Sequence, residues 1–322
     1  MTSRHSSKRP VLSRRHALQI AIGGSTGLAL LGKSSALHAQ PSPHASPTAE
    51  HYAHPEMLID AHGLEQFRID PVAILVGFMP EEDFDKAHIP GSVQLDWPAL
   101  EVTDTSDESI AQWREQASQT LASFGIAGER PVLAYDAGTL FAARLWWVLH
   151  YLGHEDKQVL NGGLSAWQQA TGEVATDATP AGATASSAVQ SFQGQPRAGT
   201  LAQLEEVRAS LDDPNVVIVD ARTPDEYSAG HIPGAVNINY PRNATSEMPK
   251  VWKPVDELRE MYEEVGVTPD KHVIPYCSTG VRSAVTFFTL RLIGYENVAL
   301  YTGSWKEWGD HPDTPKPTGT EP

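Results

Sequence analysis

The chain has 322 residues, 24 lysines and arginines against 40 aspartates and glutamates, a formal charge of −16, and one cysteine. Such acidity argues against nucleic acid and anionic membrane surfaces as partners, because both repel a negative surface. A lone thiol excludes an intramolecular disulfide, and the length predicts two domains.

In chain order, an export signal comes first. Residues 1–39 carry six Lys/Arg, among them Arg4, Lys8, Arg9, Arg14 and Arg15, and no acid. A weakly apolar stretch, Ala17 to Leu31, is interrupted by Gly23, Gly24, Ser25, Thr26 and Gly27 and is too short and polar to span a membrane. Small residues near Ser34 to Ala39 provide a cleavage region. Arg14-Arg15 after Ser13, with Leu18 beyond, resembles the bacterial twin-arginine signal. An ordinary secretory signal is also basic at its start, but the glycine-rich core favours the twin-arginine route and a periplasmic destination. Without the signal, 18 basic and 40 acidic residues remain, a formal charge of −22. Residues 40–56, rich in Pro, His, Ser and Ala, read as a flexible lead-in. His38, His44, His51 and His54 are too loosely spaced to make a metal site.

The rest of the chain is a repeat. Residues 57–170 form the first copy, 171–198 an Ala/Thr/Ser/Gly-rich linker, 199–312 the second copy and 313–322 a tail. A shift of 141 aligns Val132 with Val273, Tyr135 with Tyr276, Ala143 with Ala284, Trp146-Trp147 with Phe287-Phe288, and Leu149, Gly153, Glu155, Gly162 and Trp167 with Leu290, Gly294, Glu296, Gly303 and Trp308. A shift of 143 aligns His88-Ile89-Pro90-Gly91 with His231-Ile232-Pro233-Gly234. The period far exceeds a solenoid repeat, so the copies are duplicated domains. In the second copy the pattern predicts a strand at Val216–Val219, a short helix at Asp225–Ser228, a strand at Ala235–Ile238, a helix at Val255–Val265, a strand at His272–Tyr276, a helix over Ala284–Ile293 and a strand at Val298–Tyr301. This is an α/β pattern, a parallel sheet flanked by helices, with ligands expected at the carboxyl ends of the strands.

Cys277 follows one of those strands and precedes a helix, in the run Tyr276-Cys277-Ser278-Thr279-Gly280-Val281-Arg282-Ser283. Loop amides, a helix N-terminus and a guanidinium all favour the reactive thiolate, whereas an inert core cysteine would not sit at the mouth of a glycine loop beside arginine. The copies diverge here. Cys277 aligns with Asp136 and Arg282 with Phe141; Asp220 and Arg222, at a strand end, align with Gly77 and Met79. Asp220 and Arg222 are either a strand-end salt bridge or a substrate contact. The first copy keeps packing residues and loses polar ones, which suits one wall of a cleft.

The chain resembles the tandem-domain rhodanese family, the thiosulfate and 3-mercaptopyruvate sulfurtransferases. The resemblance spans about residues 57–310. It rests on Asp220-Ala221-Arg222 with Glu226-Tyr227, Gly230 to Ala235, the cysteine loop, Tyr301-Thr302-Gly303-Ser304-Trp305 with Trp308-Gly309, and Asn161-Gly162-Gly163 with Trp167. In that family the first domain commonly carries Asp where the second carries the catalytic cysteine, as Asp136 and Cys277 do; the missing strand-end Asp and Arg further imply a silent first domain. The resemblance implies that Cys277 takes a sulfur atom as a persulfide and passes it to cyanide or a thiol. The amides of Ser278 to Ser283, Gly280 and Val281 included, would cradle that anion, the Ser278 and Thr279 hydroxyls would add hydrogen bonds, and Arg282 would steady the charge. No cofactor or metal is implied; the partners are a small sulfur donor and acceptor, and a monomer is expected. Related phosphatases use Cys-x5-Arg, whereas four residues separate Cys277 from Arg282, a loop better sized for sulfur than phosphate. Mercaptopyruvate enzymes typically read Cys-Gly-Ser/Thr-Gly-Val-Thr-Ala, so Ser278 and Arg282-Ser283 favour thiosulfate. The alternatives are a 3-mercaptopyruvate sulfurtransferase and a periplasmic persulfide carrier docked to a partner protein.

Overall fold

Apolar β-branched runs become the inner strands of two parallel sheets. The computed structural model describes residues 52–126, 130–176, 192 and 194–322. The expected signal and the lead-in up to His51 lie outside the described residues. In the first copy the order is β1 (Leu58–Ile59), α1 (Ala61–Phe67), β2 (Ile74–Phe78), α2 (Glu81–Lys86), β3 (Val93–Leu95), α3 (Asp107–Ser123), β4 (Val132–Tyr135), α4 (Ala142–Tyr151), β5 (Lys157–Leu160) and α5 (Gly163–Thr171). The strands lie in the order β1-β5-β4-β2-β3, every pair parallel. The second copy runs β6 (Leu201–Ala202), α6 (Leu204–Ala209), β7 (Val216–Asp220), α7 (Pro224–Ala229), β8 (Val236–Asn237), α8 (Val255–Glu263), β9 (His272–Tyr276), α9 (Val281–Leu292), β10 (Leu300–Tyr301) and α10 (Ser304–Asp310). Its strands pair as β6-β10 and β9-β7-β8, and a parallel bridge from Val273 to Val298 joins the two groups in the same order.

The boundaries differ from expectation where side chains decide them. Helix α9 starts three residues before Ala284 because Gly280, at φ 86°, turns the chain into it; the left-handed region suits glycine, which has no Cβ. Helix α7 starts at Pro224 through a capping box: Thr223 Oγ1 accepts from the Glu226 amide, and the Glu226 carboxylate accepts from the Thr223 amide. Strands β8 and β10 are shorter than the expected Ala235–Ile238 and Val298–Tyr301, since Val298 contributes only the single bridge.

The His-Ile-Pro-Gly repeat is a packing device. His88 Nδ1 donates to Phe84 O at 2.9 Å and His231 Nδ1 to Tyr227 O at 3.0 Å, each ring stacked on its aromatic neighbour. The next amide, of Ile89 or Ile232, donates to the hydroxyl of Tyr135 or Tyr276. The hydroxyl of Tyr135 also bonds Ser92, whereas that of Tyr276 donates to Asp220, so each copy satisfies its buried tyrosine differently.

One apolar core runs through both copies. Trp146 on α4 meets Phe288 on α9 edge-on at 5.1 Å, and Trp252 lies 4.9 Å from the same ring. Each copy also straps the other. The Thr105 amide and hydroxyl donate to the Glu307 carboxylate, and the Trp252 amide donates to Asn161 Oδ1 at 3.1 Å.

The lead-in, expected to be flexible, the linker and the tail are each held in their described parts. At the end of the lead-in, Tyr52 Oη donates to Trp252 O and Lys253 O, and the His54 amide donates to Leu292 O. At the ends of the linker, Ala175 pairs with His88, and the Arg197 amide donates to Tyr151 O. In the tail, Thr314 is buried with its hydroxyl on Trp308 O, Pro317 O accepts from the His231 amide, and the Gly319 amide donates to Ser228 O. Side-chain hydroxyls and backbone hydrogen bonds do the docking.

Candidate active site

Strand β9 ends at Tyr276, and Cys277 begins the turn into α9, at the carboxyl edge of the sheet. The thiol is buried, about 1 % exposed. Its Sγ accepts from the Gly280 amide at 3.2 Å and from the Ser283 hydroxyl at 3.4 Å. An ideal Cβ at Gly280 would lie 2.7 Å from Thr302 Oγ1, so glycine is required there for space as well as for φ. Val281 is buried and starts the helix, and its amide belongs to the same turn.

The loop is held from behind by Ser304. Its hydroxyl accepts from the Cys277 amide at 3.1 Å and donates to Tyr301 O at 2.8 Å. Ser304 has φ 56°, a strained value for a non-glycine residue, and its counterpart in the first copy is Gly163 at the same φ. The following amides match as well: Trp305 donates to Cys277 O and Leu164 to Asp136 O, both at 2.9 Å. Ser304 was quoted in a sequence motif without a role; a hydroxyl replacing glycine at an aligned position is the signal that could have found it.

The aligned turn of the first copy binds a carboxylate. Asp136 Oδ1 accepts from the amides of Gly138, Thr139 and Leu140 at 2.7, 2.8 and 3.1 Å, and Oδ2 from Ala142 at 3.0 Å. The turn is an anion nest that carries its own anion. In the second copy the aligned amides belong to Thr279, Gly280, Val281 and Ser283, and only that of Gly280 reaches the sulfur.

Arg282 does not point freely at the thiol. Nη1 donates to Glu226 Oε2 at 2.7 Å and Nη2 to Glu226 Oε1 at 2.8 Å, a bidentate pair. Glu226 thus joins the cap of α7 to the cysteine loop, a role sequence reasoning did not assign. The Arg282 bonds hold the Glu226 carboxyl down to about 2. Glu226, and behind it the charge of Cys277, hold the Arg282 guanidinium above its usual range despite burial. Ser278 Oγ accepts from Arg282 Nη2 at 2.5 Å and donates to Glu226 Oε1 at 3.3 Å. The expected Ser278 bond to the sulfur is therefore replaced by that of Ser283, because Arg282 and Glu226 claim the Ser278 hydroxyl. Thr279 is half-buried, with its hydroxyl unpaired among the described residues.

Of the two readings of Asp220 and Arg222, the geometry fits the strand-end salt bridge. Asp220 is fully buried and Arg222 about 2 % exposed. Arg222 Nη2 donates to Asp220 Oδ2 at 2.6 Å and to Gly230 O at 2.7 Å, and Nε donates to both carboxylate oxygens at 3.0 Å. Tyr276 Oη donates to Asp220 Oδ2 at 2.5 Å, and Trp305 covers the guanidinium at 4.5 Å. Both carboxylate oxygens of Asp220 and the Nε and Nη2 of Arg222 are engaged inside the fold, so the pair braces β7 against β9 as a strand-end salt bridge.

Aromatic residues of the first copy approach the loop through Tyr240. Phe141, aligned with Arg282, lies 5.3 Å from Trp97 and 5.6 Å from Tyr240. Tyr240 feels the charges of Arg282, Asp136 and Cys277, and burial raises its hydroxyl above the usual range.

The rhodanese-like domain family matches residues 60–170 and again 203–311. The chain belongs to the rhodanese family. It is 31 % identical over 272 residues to the thiosulfate sulfurtransferase of Azotobacter vinelandii, covering 80 % of this chain and 96 % of that one. It is 32 % identical over 270 residues to the thiosulfate sulfurtransferase of Pseudomonas aeruginosa, 76 % and 91 % covered. It is 30 % identical over 293 residues to the sulfur carrier protein TtuD of Thermus thermophilus, 84 % and 99 % covered. Among solved structures, wild-type EanB shares the rhodanese fold with a TM-score of 0.70 at 23 % identity, over 83 % of this chain and 70 % of that one.

Proposed function

We propose that the protein is a thiosulfate sulfurtransferase acting through a Cys277 persulfide, as a monomer, in the periplasm after twin-arginine export. The observation that carries the reading is the chain's one thiol at the head of the strand–turn–helix loop, its sulfur on the Gly280 amide and the Ser283 hydroxyl, where the aligned Asp136 carboxylate takes four amides. The Cys277 thiolate attacks the outer sulfur of thiosulfate. A new S–S bond forms, the sulfur–sulfur bond of the donor breaks, and its electron pair leaves with sulfite. The negative charge moves from the thiolate to the outer persulfide sulfur, about one bond length further into the nest, where the amides of Thr279, Val281 and Ser283 come within reach. Cyanide or a thiolate then takes that sulfur and returns the thiolate. Arg282, pinned by Glu226, presents its remaining N–H edge to the anionic donor. The signal-like residues 1–39 support export.

A carrier role is favoured by the relative named as a sulfur carrier protein. Steady-state turnover with cyanide separates the readings. Fast turnover with thiosulfate and slow turnover with 3-mercaptopyruvate supports the enzyme proposed here. The reverse preference assigns mercaptopyruvate as donor, and slow turnover of a stable persulfide assigns the carrier. Mature protein reaching the periplasm normally with Arg14→Lys and Arg15→Lys together would overturn the export route.

A further inference from the structure

Arg144 is the most buried cation in the described structure without a carboxylate partner. It sits on α4, inside the apolar run of the silent copy, and is fully buried. Nη1 donates to Thr302 Oγ1 at 3.0 Å and Nη2 to Leu100 O at 2.8 Å; Nε has no partner. Trp147 lies 4.7 Å from its guanidinium carbon. A buried charge without an ionic partner is costly unless something else compensates it. Symmetry does not demand a cation here, because the aligned residue on α9 is the buried Val285.

The surroundings indicate what compensates it. Thr302, which accepts from Arg144, is the residue packed against Gly280, and the Gly280 amide is the one bonded to Cys277 Sγ. Burial pushes the Arg144 guanidinium down to about 10, and the charges that oppose this are those of Cys277 and Glu101. Four other charged or titratable groups bear on the loop. Arg282 on α9 is paired with Glu226 on α7; Tyr240, after β8, is within reach of the charges of Arg282, Cys277 and Asp136, the last after β4. Arg282 is in direct bidentate contact with a carboxylate, whereas Arg144 bonds only a hydroxyl and a carbonyl.

We propose that Arg144 is a positioning residue through which the silent domain supplies the buried counter-charge for the Cys277 anion and fixes Thr302 against the glycine of the loop. This rests on the reading of Cys277 as the sulfur-bearing nucleophile. It also explains why a domain that lacks the thiol keeps a charged side chain in its deepest helix.

The test is the rate of Cys277 alkylation by iodoacetamide as a function of pH, measured on the full chain with thermal unfolding alongside. Arg144→Met and Arg144→Gln should move the curve to higher pH and slow alkylation at neutral pH by about tenfold, the change that one unit of thiol pKa produces. Arg144→Lys should restore most of the parent curve. If the Met variant does not fold, the Gln and Lys variants decide by the same contrast. A lower melting temperature with an unmoved alkylation curve would make Arg144 a structural residue only and overturn the proposal. Alkylation reads the thiol and not turnover. Failure of the sulfurtransferase reading would instead appear as sulfur transfer that survives Cys277→Ser.

Discussion

In the first copy a carboxylate fills the turn after β4, and four amides converge on it. In the second copy the turn after β9 holds a shorter side chain, and one amide reaches its sulfur. The turns align in sequence but bend differently, with positive φ at Gly138 and Leu140 in the first copy and at Gly280 in the second, and the occupant differs too. The polar residues around the turn differ together. Arg282 and Glu226 pair across the loop, and their aligned positions are Phe141, packed on aromatic rings, and Asp83, bonded to Lys86. The turn of the first copy is thus filled by its own carboxylate, whereas that of the second holds the thiol.

The largest effect should come from breaking the brace that only the second copy has. Asp220→Ala leaves Arg222 buried and uncompensated and Tyr276 Oη without its acceptor, at a cost of about 3–5 kcal/mol. Denaturant unfolding checks this. The aligned Gly77→Ala should act by a different route, since a Cβ there would meet Phe84 at 2.8 Å. Next is Arg282→Ala, expected to lower turnover with thiosulfate by roughly tenfold or more, for one lost charge-assisted contact. A smaller loss than that of Ser278→Ala would deny Arg282 its role.

Glu226→Gln sharpens the comparison further, because it frees Arg282 from its carboxylate without removing the cation. Donor affinity should rise a few-fold in steady-state kinetics as the guanidinium turns to the substrate. The same pair sets an acid limit. The folded-state carboxyl is held at about 2, below its unfolded value, so its stabilising contribution is present above the unfolded value and is lost as pH falls towards 2. The parent should lose more stability than the Gln variant over that acid range in thermal melts. The smallest effect is expected from moving the thiol. Asp136→Cys in a Cys277→Ser background should give no robust turnover, because Phe141 stands where the loop needs a cation.

Much of this was legible in the sequence. Continuous apolar runs fixed the inner strands, and the aligned glycines and aromatics exposed the duplication. The cysteine loop was readable because strand, glycine turn and helix are contiguous. What lay outside reach depends on distant pairing. Glu226 and Arg282 are 56 residues apart, and nothing local announces their bidentate contact. Asp220 and Arg222 are adjacent enough to be noticed, but only the buried Tyr276 and Gly230 O reveal that the pair closes on itself. Arg144 is hidden by the apolar residues around it, and Ser304 by the glycine it replaces.

The central claim is that Cys277 carries the transferred sulfur. Intact-protein mass after incubation with thiosulfate and no acceptor tests it most directly. The parent should gain about 32 Da, the mass of one sulfur added to the thiolate, and lose it when cyanide is added. Cys277→Ser should gain nothing. A parent whose mass stays unchanged while it still turns over thiosulfate, or a serine variant that acquires the adduct, would contradict the account.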